Sequence, residues 1–470
     1  LLLGLRPADP VESFAKRREV QEAIVEARLL ATLRANQHEA ASAAASVVGA
    51  LSESEAGWKA AGEMGLKLLM LSVQQPFSDC PAMTYGFAFP DGSGSGETSP
   101  AAYGFEALNE LNTKAMDNGW VPFVECFVKA GGLRAIESGL LSTSQGIQAR
   151  AANLVGNLGF ASKKLYVQHG LPSPLRLDEA PGVLRPLVAL LSERESQKML
   201  ASVLHALHAF AESSDSKQRC AKAGAVEACL RLVVHLVQAP HVPAPAGEPR
   251  RSAVVGTSEL LRGAMLLLQD LSYVCLGSKR AARVLEVPGG LEALVVCIAD
   301  DYARWLVGKR VQVHGVVAKP ELNGQLGKAL SFASAGLKGG RVAVRMDTGV
   351  DLSFKPANLF LSVGPVAAAG QQPEKQSICR SGFIALAELG CDQSCATRIV
   401  KAPGDVIAIA ALMCAAHAGQ PTEDEDTDGQ VADVAGGFLG NVAEAEGGAV
   451  AKRLGVHREL IEALVRGLEA

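Results

Sequence analysis

AANLVGNLG (Ala151–Gly159) carries the pattern that decides the fold: small residues, apolar residues at helical spacing, one polar residue and a closing glycine. The same pattern recurs four times, as MLASVLHALHAFA (Met199–Ala211), LRGAMLLLQDLS (Leu261–Ser272), RSGFIALAELG (Arg380–Gly390) and VAGGFLGNVA (Val434–Ala443). We call these five segments the signature helices. A repeated supersecondary unit predicts a solenoid, which typically works by offering a long surface to another macromolecule. We therefore expect a binding protein and not an enzyme.

The composition favours closely stacked helices. Apolar residues make up 48% of the 470 residues and aromatic residues only 5%, so Ala, Leu and Val must build the core. A net charge of -4 gives no general case for binding nucleic acid or an anionic membrane. The ten cysteines are scattered through apolar patterns, which is typical of reduced thiols, and we expect a cytoplasmic protein. The sequence begins with Leu1 and not Met, so a removed targeting segment stays an open alternative. A ciliary or organellar location stays open for the same reason.

The spacing of the signature helices points to an insertion. Three of the four gaps between them are about 50 to 60 residues, whereas the third is about twice as long. Within that gap, residues 305–362 show strand-like alternation in place of helical periodicity. The prediction is an all-α, armadillo-like right-handed superhelix with a small inserted β-barrel. Its parts are repeats at 1–304, the insert at 305–362 and further repeats at 363–470, with flexible loops at 91–100 and 239–252.

Helices paired across a glycine step, as in this chain, resemble armadillo repeats. A narrower likeness rests on FEALNELNTKAMDNG (Phe105–Gly119), VKAGGLRAI (Val128–Ile136) and QARAANLVGNLG (Gln148–Gly159), which resemble the Hsp70-binding-protein family of nucleotide-exchange factors. That resemblance implies a co-chaperone that promotes ADP release from Hsp70. The family's polar QNNP turn is missing, because GFASKK (Gly159–Lys164) stands in its place.

Two further interpretations accompany this one. An armadillo scaffold inside a large assembly, such as a ciliary axoneme or an organellar complex, fits the same repeats. The insert resembles an SH3-like barrel of algal and protist multidomain proteins, through GKRVQVHGVVAKPELNGQLGKAL (Gly308–Leu330) and VDLSFKPANLF (Val350–Phe360). That likeness says little about a ligand.

Candidate partner-binding residues follow from the resemblance to armadillo arrays, in which the third helix of each repeat lines a concave groove. The residue before the last apolar position of a signature helix would face that groove, and it is polar in four of the five. Arg150 and His205, on the first two signature helices, complete the set. The predicted groove residues are Arg150, Asn157, His205, Asp270, Glu388 and Asn441. The alternative is that they form the solvent side of amphipathic helices.

The sequence gives little support for nucleic-acid binding, metal binding or catalysis. The insert holds eight Lys or Arg residues against three Asp or Glu residues, so it alone could attract nucleic acid, but its few aromatic residues suit a small core. Asp424, Asp426 and Asp428 begin like a calcium loop, yet Ala435 stands where the final acidic ligand is needed. We expect no cofactor, no metal, no catalytic residue and no membrane segment.

Overall fold

A computed structural model describes residues 100–117, 122–165, 181–192, 196–211, 213–238, 251–272, 283–362, 378–417 and 427–455. Contacts divide the chain into two compact units, Leu1–Arg219 and Cys220–Ala470. The loops predicted at 91–100 and 239–252 lie outside the described residues, apart from three. Pro100 begins one helix, and Arg251 and Ser252 begin another.

The first unit is built around one long signature helix. Its helices are α1 (Pro100–Asp117), α2 (Pro122–Lys129), α3 (Gly132–Leu140), α4 (Gln145–Leu165), α5 (Pro181–Leu190) and α6 (Gln197–Phe210). Helix α7 (Ser214–Lys222) spans the boundary between the units. Helix α4 packs against α1, α3 and α6, and α5 packs against α3 and α6. The two signature helices α4 and α6 therefore lie side by side in one core.

Local sequence explains why these helices begin where they do. Gly131 caps α3 in the left-handed conformation (φ 89°), which glycine adopts at little cost. Ser196 precedes α6, and its hydroxyl accepts a hydrogen bond from the Met199 amide at 3.3 Å. Phe105 and Leu154 are fully buried, so the apolar faces of α1 and α4 supply the core between these helices.

The second unit repeats this arrangement. Its helices are α8 (Ala225–Gln238), α9 (Arg251–Ser272), α10 (Gly290–Leu306), α11 (Ile378–Gly390), α12 (Gln393–Lys401), α13 (Val406–His417) and α14 (Thr427–Gly455), the last kinked at Glu446. The signature helix α11 packs against the signature helices α9 and α14, and α10 packs against α8 and α11. The predicted stacking of helical repeats is confirmed within each unit. The right-handed superhelical course stays a prediction.

A five-stranded antiparallel sheet separates α10 from α11 in the sequence. Its strands are β1 (Arg310–Val313), β2 (Leu326–Ala333), β3 (Arg341–Met346), β4 (Asp351–Phe354) and β5 (Leu359–Leu361), in the order β4-β3-β2-β1-β5. The two edge strands of this sheet, β4 and β5, are not paired with each other, so the sheet is open. The expected small sheet is confirmed, and its closure into a barrel is not.

The insert is fixed to α10. The buried Tyr302 hydroxyl donates a hydrogen bond to the carbonyl oxygen of Leu359 in β5 at 2.9 Å, and Ser334 donates to Asp300 at 2.5 Å. Helix α10 runs through Leu306, so Trp305, which the alternation pattern assigned to the insert, lies in the last turn of the helix. Because α10 and α11 still pack together, the insertion leaves the helical stack of this unit continuous.

Candidate functional site

Three polar side chains on the packed helices α1, α4 and α6 form one hydrogen-bonded line. Asn157 of α4 donates through Nδ2 to Oδ1 of Asn109 on α1 at 2.9 Å. His205 of α6 lies with Nε2 at 3.3 Å from Oδ1 of the same Asn157. The sequence separation is 48 residues in both pairs. We call Asn109, Asn157 and His205 the polar line.

The packing of α4 against α1 and α6 positions these side chains. Gly156 lets the His205 ring lie against α4, since a Cβ added to this glycine would come within 2.0 Å of the ring carbon Cδ2. At the other end, Asn109 donates to the carbonyl oxygens of Phe105 at 3.1 Å and Arg150 at 3.4 Å. Each member of the polar line is thus held by backbone, by a neighbouring helix or by both.

The hydrogen bonds fix the tautomer of His205. The Oδ1 atom of Asn157 can only accept, so Nε2 of His205 carries the proton and Nδ1 is the free acceptor of a neutral ring. Burial of the ring lowers the pKa of His205 below its usual 6.5, and the nearby His208 lowers it further. At neutral pH the polar line therefore presents uncharged amide and imidazole groups, with no activated nucleophile.

The surface beside the polar line mixes polar and apolar groups. Phe160 follows Asn157 by three residues on α4 and is 56% exposed. Thr113 follows Asn109 by one turn, and His208 follows His205 by three residues, and both are exposed. Large aromatic side chains beside polar groups are typical of protein–protein interfaces. This composition suits a protein partner.

Three of the predicted groove residues lie in the first unit, and the structure brings two of them into contact. Asn157 and His205 contact each other directly. Arg150 lies two turns before Asn157 on α4, where its guanidinium donates to the carbonyl of Gly146 at 3.3 Å. Ala209, the apolar exception among the five aligned positions, lies against Gly159 in the contact between α4 and α6. His205, one turn earlier, occupies the position equivalent to Asn157.

Asn109 is the member of the polar line that sequence reasoning missed. Helix α1 does not show the signature pattern clearly, and its side chains were considered only for the family likeness. The available signal was the constant separation of 48 residues, which links Asn109 to Asn157 and Asn157 to His205.

The other three predicted groove residues lie in the second unit. Asp270 of α9 and Glu388 of α11 are half-buried, and burial raises the pKa of the Glu388 carboxyl. Asn441 of α14 donates to the carbonyl oxygen of Ala387, the residue before Glu388, at 3.0 Å. The three residues lie on signature helices that pack in sequence, α9 to α11 to α14. Their role in partner binding stays a prediction.

The described residues contain no group of three His, Cys, Asp or Glu side chains placed to hold a metal ion. Asp424 and Asp426, from the incomplete calcium pattern, lie outside the described residues, and Asp428 is the second residue of α14. No helix in the described part of the chain is both long and apolar enough to cross a bilayer. Burial raises the pKa of the Cys220 thiol to about 12, which suits a packing role and not nucleophilic chemistry.

Comparison with known proteins gives distant structural likenesses alone. No protein-family model matches the sequence, and no curated protein matches it. Among solved structures, a designed armadillo repeat protein covers 80% of this chain and 99% of its own at 13% identity, with a TM-score of 0.41. An engineered protein covers 98% of this chain and 93% of its own at 15% identity and a TM-score of 0.44. A second designed armadillo repeat protein, solved with the peptide (KR)4, gives 13% identity, coverage of 80% and 99%, and a TM-score of 0.39. These likenesses are too distant to assign a family.

Proposed function

We propose that this chain is a protein-binding helical-repeat scaffold and that the polar line belongs to the surface that holds its partner. The observation that carries the proposal is the direct hydrogen bonding of Asn109, Asn157 and His205 across three packed helices. Polar groups that already hold one another in place lose little further entropy when a ligand binds. Such a surface is organised before the partner arrives.

The chemistry of the polar line fits the main chain of an extended polypeptide. An asparagine amide can donate and accept at once, as a peptide group can, and neutral His205 offers Nδ1 as a further acceptor. The exposed Phe160 ring adds apolar area beside these groups. Binding of this kind requires shape and hydrogen bonds and no covalent step, so the proposal includes no enzymatic activity.

Capture of partners by the full chain tests this proposal. The wild-type chain, an Asn157→Ala/His205→Ala variant and an Asn153→Ala control are immobilised and exposed to native lysate. Asn153 is half-buried on the same helix and makes none of the polar-line hydrogen bonds. Proteins held by wild type and control should be lost from the double variant. Retention of the same proteins by all three would refute a role for the polar line.

Within this class, we propose an Hsp70-type chaperone as the partner. Support comes from the sequence likeness, whose residues have clear structural roles. Phe105 and Leu108 are fully buried, and Gly132 lies against the ring of Phe127, where a Cβ would come within 2.2 Å. These buried contacts support a packing shared with the Hsp70-binding-protein family. The identity of the partner is tested by the experiment below.

Nucleotide exchange would follow from selective binding. A surface that binds the open form of the chaperone's nucleotide-binding domain more tightly than the closed form shifts the population toward the open form, from which ADP leaves. The release of fluorescent ADP from a purified Hsp70 is the test, at saturating concentrations of this chain. We expect faster release with wild type and slower release with the Asn157→Ala/His205→Ala variant. An unchanged rate with wild type would exclude exchange activity and leave the general binding proposal standing.

The alternative is a cytoplasmic, ciliary or organellar scaffold in a large assembly. The observation that favours it is the firm attachment of the insert to α10 through Tyr302, which gives the second unit a sheet surface besides its helices. A scaffold should fractionate with one large particle whether or not ATP is present. An Hsp70 co-chaperone should instead release its partner when ATP is added.

We also propose that the insert is an SH3-like module. Its strand order of β4-β3-β2-β1-β5, with antiparallel pairing throughout, supports this assignment. A single 3₁₀ turn (Pro356–Asn358) immediately before β5 adds to it. An experimental structure in which β4 approaches β5 closely enough to narrow the open sheet into a barrel would support the assignment.

A further inference from the structure

The exposed face of the inserted sheet carries three cations in register. Arg310 of β1 lies opposite Lys328 of β2, and Lys328 lies opposite Arg345 of β3. All three side chains are exposed. Because directly paired residues on neighbouring strands point to the same face, the three charges form one row across the sheet. We call Arg310, Lys328 and Arg345 the cationic row.

The two ends of the row are neutralised and its centre is not. Arg345 makes a bidentate ion pair with Asp351 of β4, with nitrogen–oxygen distances of 2.9 and 3.0 Å. Arg310 pairs with Asp347. In the part of the chain that the structure describes, no carboxylate pairs with Lys328. An anion bound at this central position would complete the pairing of charges along the row.

Folding of the insert does not require the cationic row. Val311, Ala329 and Val344 alternate with the cations along the same three strands and are completely buried on the other face. The core therefore depends on the apolar face alone. The insert carries eight basic and three acidic residues, although the whole chain has a net charge of -4. This excess of basic residues, together with the exposed Lys328 at the centre of the row, argues for a binding role.

Two aromatic rings at the junction of the insert and α10 already contact other side chains. The Trp305 ring stacks on Tyr302 at 5.8 Å between centroids, and the Lys309 ammonium covers it at 3.3 Å. Phe332 lies under the guanidinium of Arg304 at 5.7 Å. Single-stranded nucleic acid binding relies on aromatic faces left open for stacking, and the contacts of Trp305 and Phe332 argue against base stacking on these two rings.

We propose that the cationic row is a docking site for an acidic, Asp- and Glu-rich segment of a partner protein, with Lys328 as its central contact. A carboxylate of that segment pairs with the Lys328 ammonium, and neighbouring carboxylates take the guanidinium N–H groups that Asp351 and Asp347 leave unused. This surface lies in the second unit and is independent of the polar line. Because Tyr302 and Ser334 fix the sheet to α10, a segment bound there is held in a defined position relative to that helix.

Fluorescence anisotropy with the full chain tests the proposal. The probe is a labelled twelve-residue peptide of alternating Glu and Gly, and the comparators are a Lys–Gly peptide and a single-stranded oligonucleotide of equal charge. Variants are Lys328→Glu, the milder Lys328→Ala, and Lys319→Glu as a control. Lys319 is an exposed lysine of the same insert that lies outside the row. Circular dichroism of each variant reports whether the insert stays folded.

We expect the acidic peptide to bind at low salt and to weaken as salt is added, because exposed charges are screened. Lys328→Glu should weaken binding about tenfold, Lys328→Ala about threefold and Lys319→Glu less than about twofold. Equal losses for Lys328→Glu and Lys319→Glu would show diffuse attraction and overturn the docking site. Absence of peptide binding at low salt, or tighter binding of the oligonucleotide than of the acidic peptide, would overturn it as well.

Discussion

Asn157 connects its two neighbours because an amide offers a donor and an acceptor on one rigid plane. Its Nδ2 group donates to Oδ1 of Asn109 and its Oδ1 atom accepts from His205, so loss of this one side chain removes the donor to Asn109 Oδ1 and the acceptor of His205 Nε2. A half-buried polar group that loses its hydrogen bond keeps most of its desolvation cost. The polar line is therefore sensitive to change at its centre.

Replacement of Asn157 by Ala should destabilise the first unit by about 1–2 kcal/mol, because one hydrogen-bond donor and one acceptor lose their partners. Chemical denaturation followed by circular dichroism measures the effect. The Asn153→Ala control on the same helix should change stability by less than about 0.5 kcal/mol. Equal losses for the two variants would contradict the hydrogen-bonded role of Asn157.

The titration of His205 gives a pH prediction with a definite sign. Its pKa should lie below 6.5 in the folded chain, and His208→Ala should raise it, because a neighbouring cation is removed. The unfolded chain then binds more protons than the folded one just below pH 6.5. The stability contributed by this group is thus present above pH 6.5 and is lost as the pH falls through the folded pKa. Histidine NMR shifts measure the pKa, and a value at or above 6.5 would contradict the prediction.

At the scale of elements, the small residues of the signature helices set the distance between helices. Gly159 of α4 faces Ala209 of α6, and a Cβ at Gly159 would come within 2.6 Å of the Ala209 Cβ. A glycine inside a helix costs about 0.5–1 kcal/mol relative to alanine, so its presence needs a packing reason. Close approach of α4 and α6 provides that reason.

Gly159→Ala should therefore destabilise the chain by about 1–3 kcal/mol, because two Cβ atoms fixed to rigid helices would collide. Adding Ala209→Gly should recover part of the loss, since it removes the colliding atom. Gly440→Ala in α14 is the opposite control. Nothing lies within 4 Å of a Cβ there, so the higher helix propensity of alanine should stabilise the chain by about 0.5–1 kcal/mol.

Thermal denaturation of these three variants, each compared with wild type, measures the effects. If Gly159→Ala were as stable as wild type, the close contact between α4 and α6 would be disproved. Failure of Ala209→Gly to recover any stability would place the strain elsewhere.

At the scale of the molecule, side-chain hydrogen bonds fix the inserted sheet to helix α10. The Tyr302 hydroxyl crosses from α10 to β5, and burial raises the pKa of this phenol well above its usual value. The hydroxyl therefore keeps its proton at neutral pH and donates to the Leu359 carbonyl. Leu359 and its neighbours in β5 consequently depend on a helix of the repeat stack.

Tyr302→Phe should cost about 1–2 kcal/mol, because the Leu359 carbonyl loses its donor in a buried position. Hydrogen exchange is the measurement, and it should speed up in both β5 and the last turns of α10. Ser353→Ala, at an exposed serine of β4, should leave exchange in α10 unchanged. Faster exchange confined to the sheet would show that the hydroxyl does not couple the insert to the helix.

The amino-acid pattern was sufficient to predict the helical repeats and the position of the β insert. It could do so because apolar periodicity records which face of an element is buried, and the signature helices show it clearly. Arg150, Asn157 and His205 were predicted as groove residues from the resemblance to armadillo arrays, and that role stays a prediction.

Which of these residues come into contact depends on the tertiary structure. Asn109 joins Asn157 because α1 packs on α4, and the cations Arg310, Lys328 and Arg345 meet because of strand register. The openness of the sheet also appeared only in three dimensions. Contacts between residues about 20 to 50 positions apart depend on how elements pack, and local periodicity carries no information about that choice.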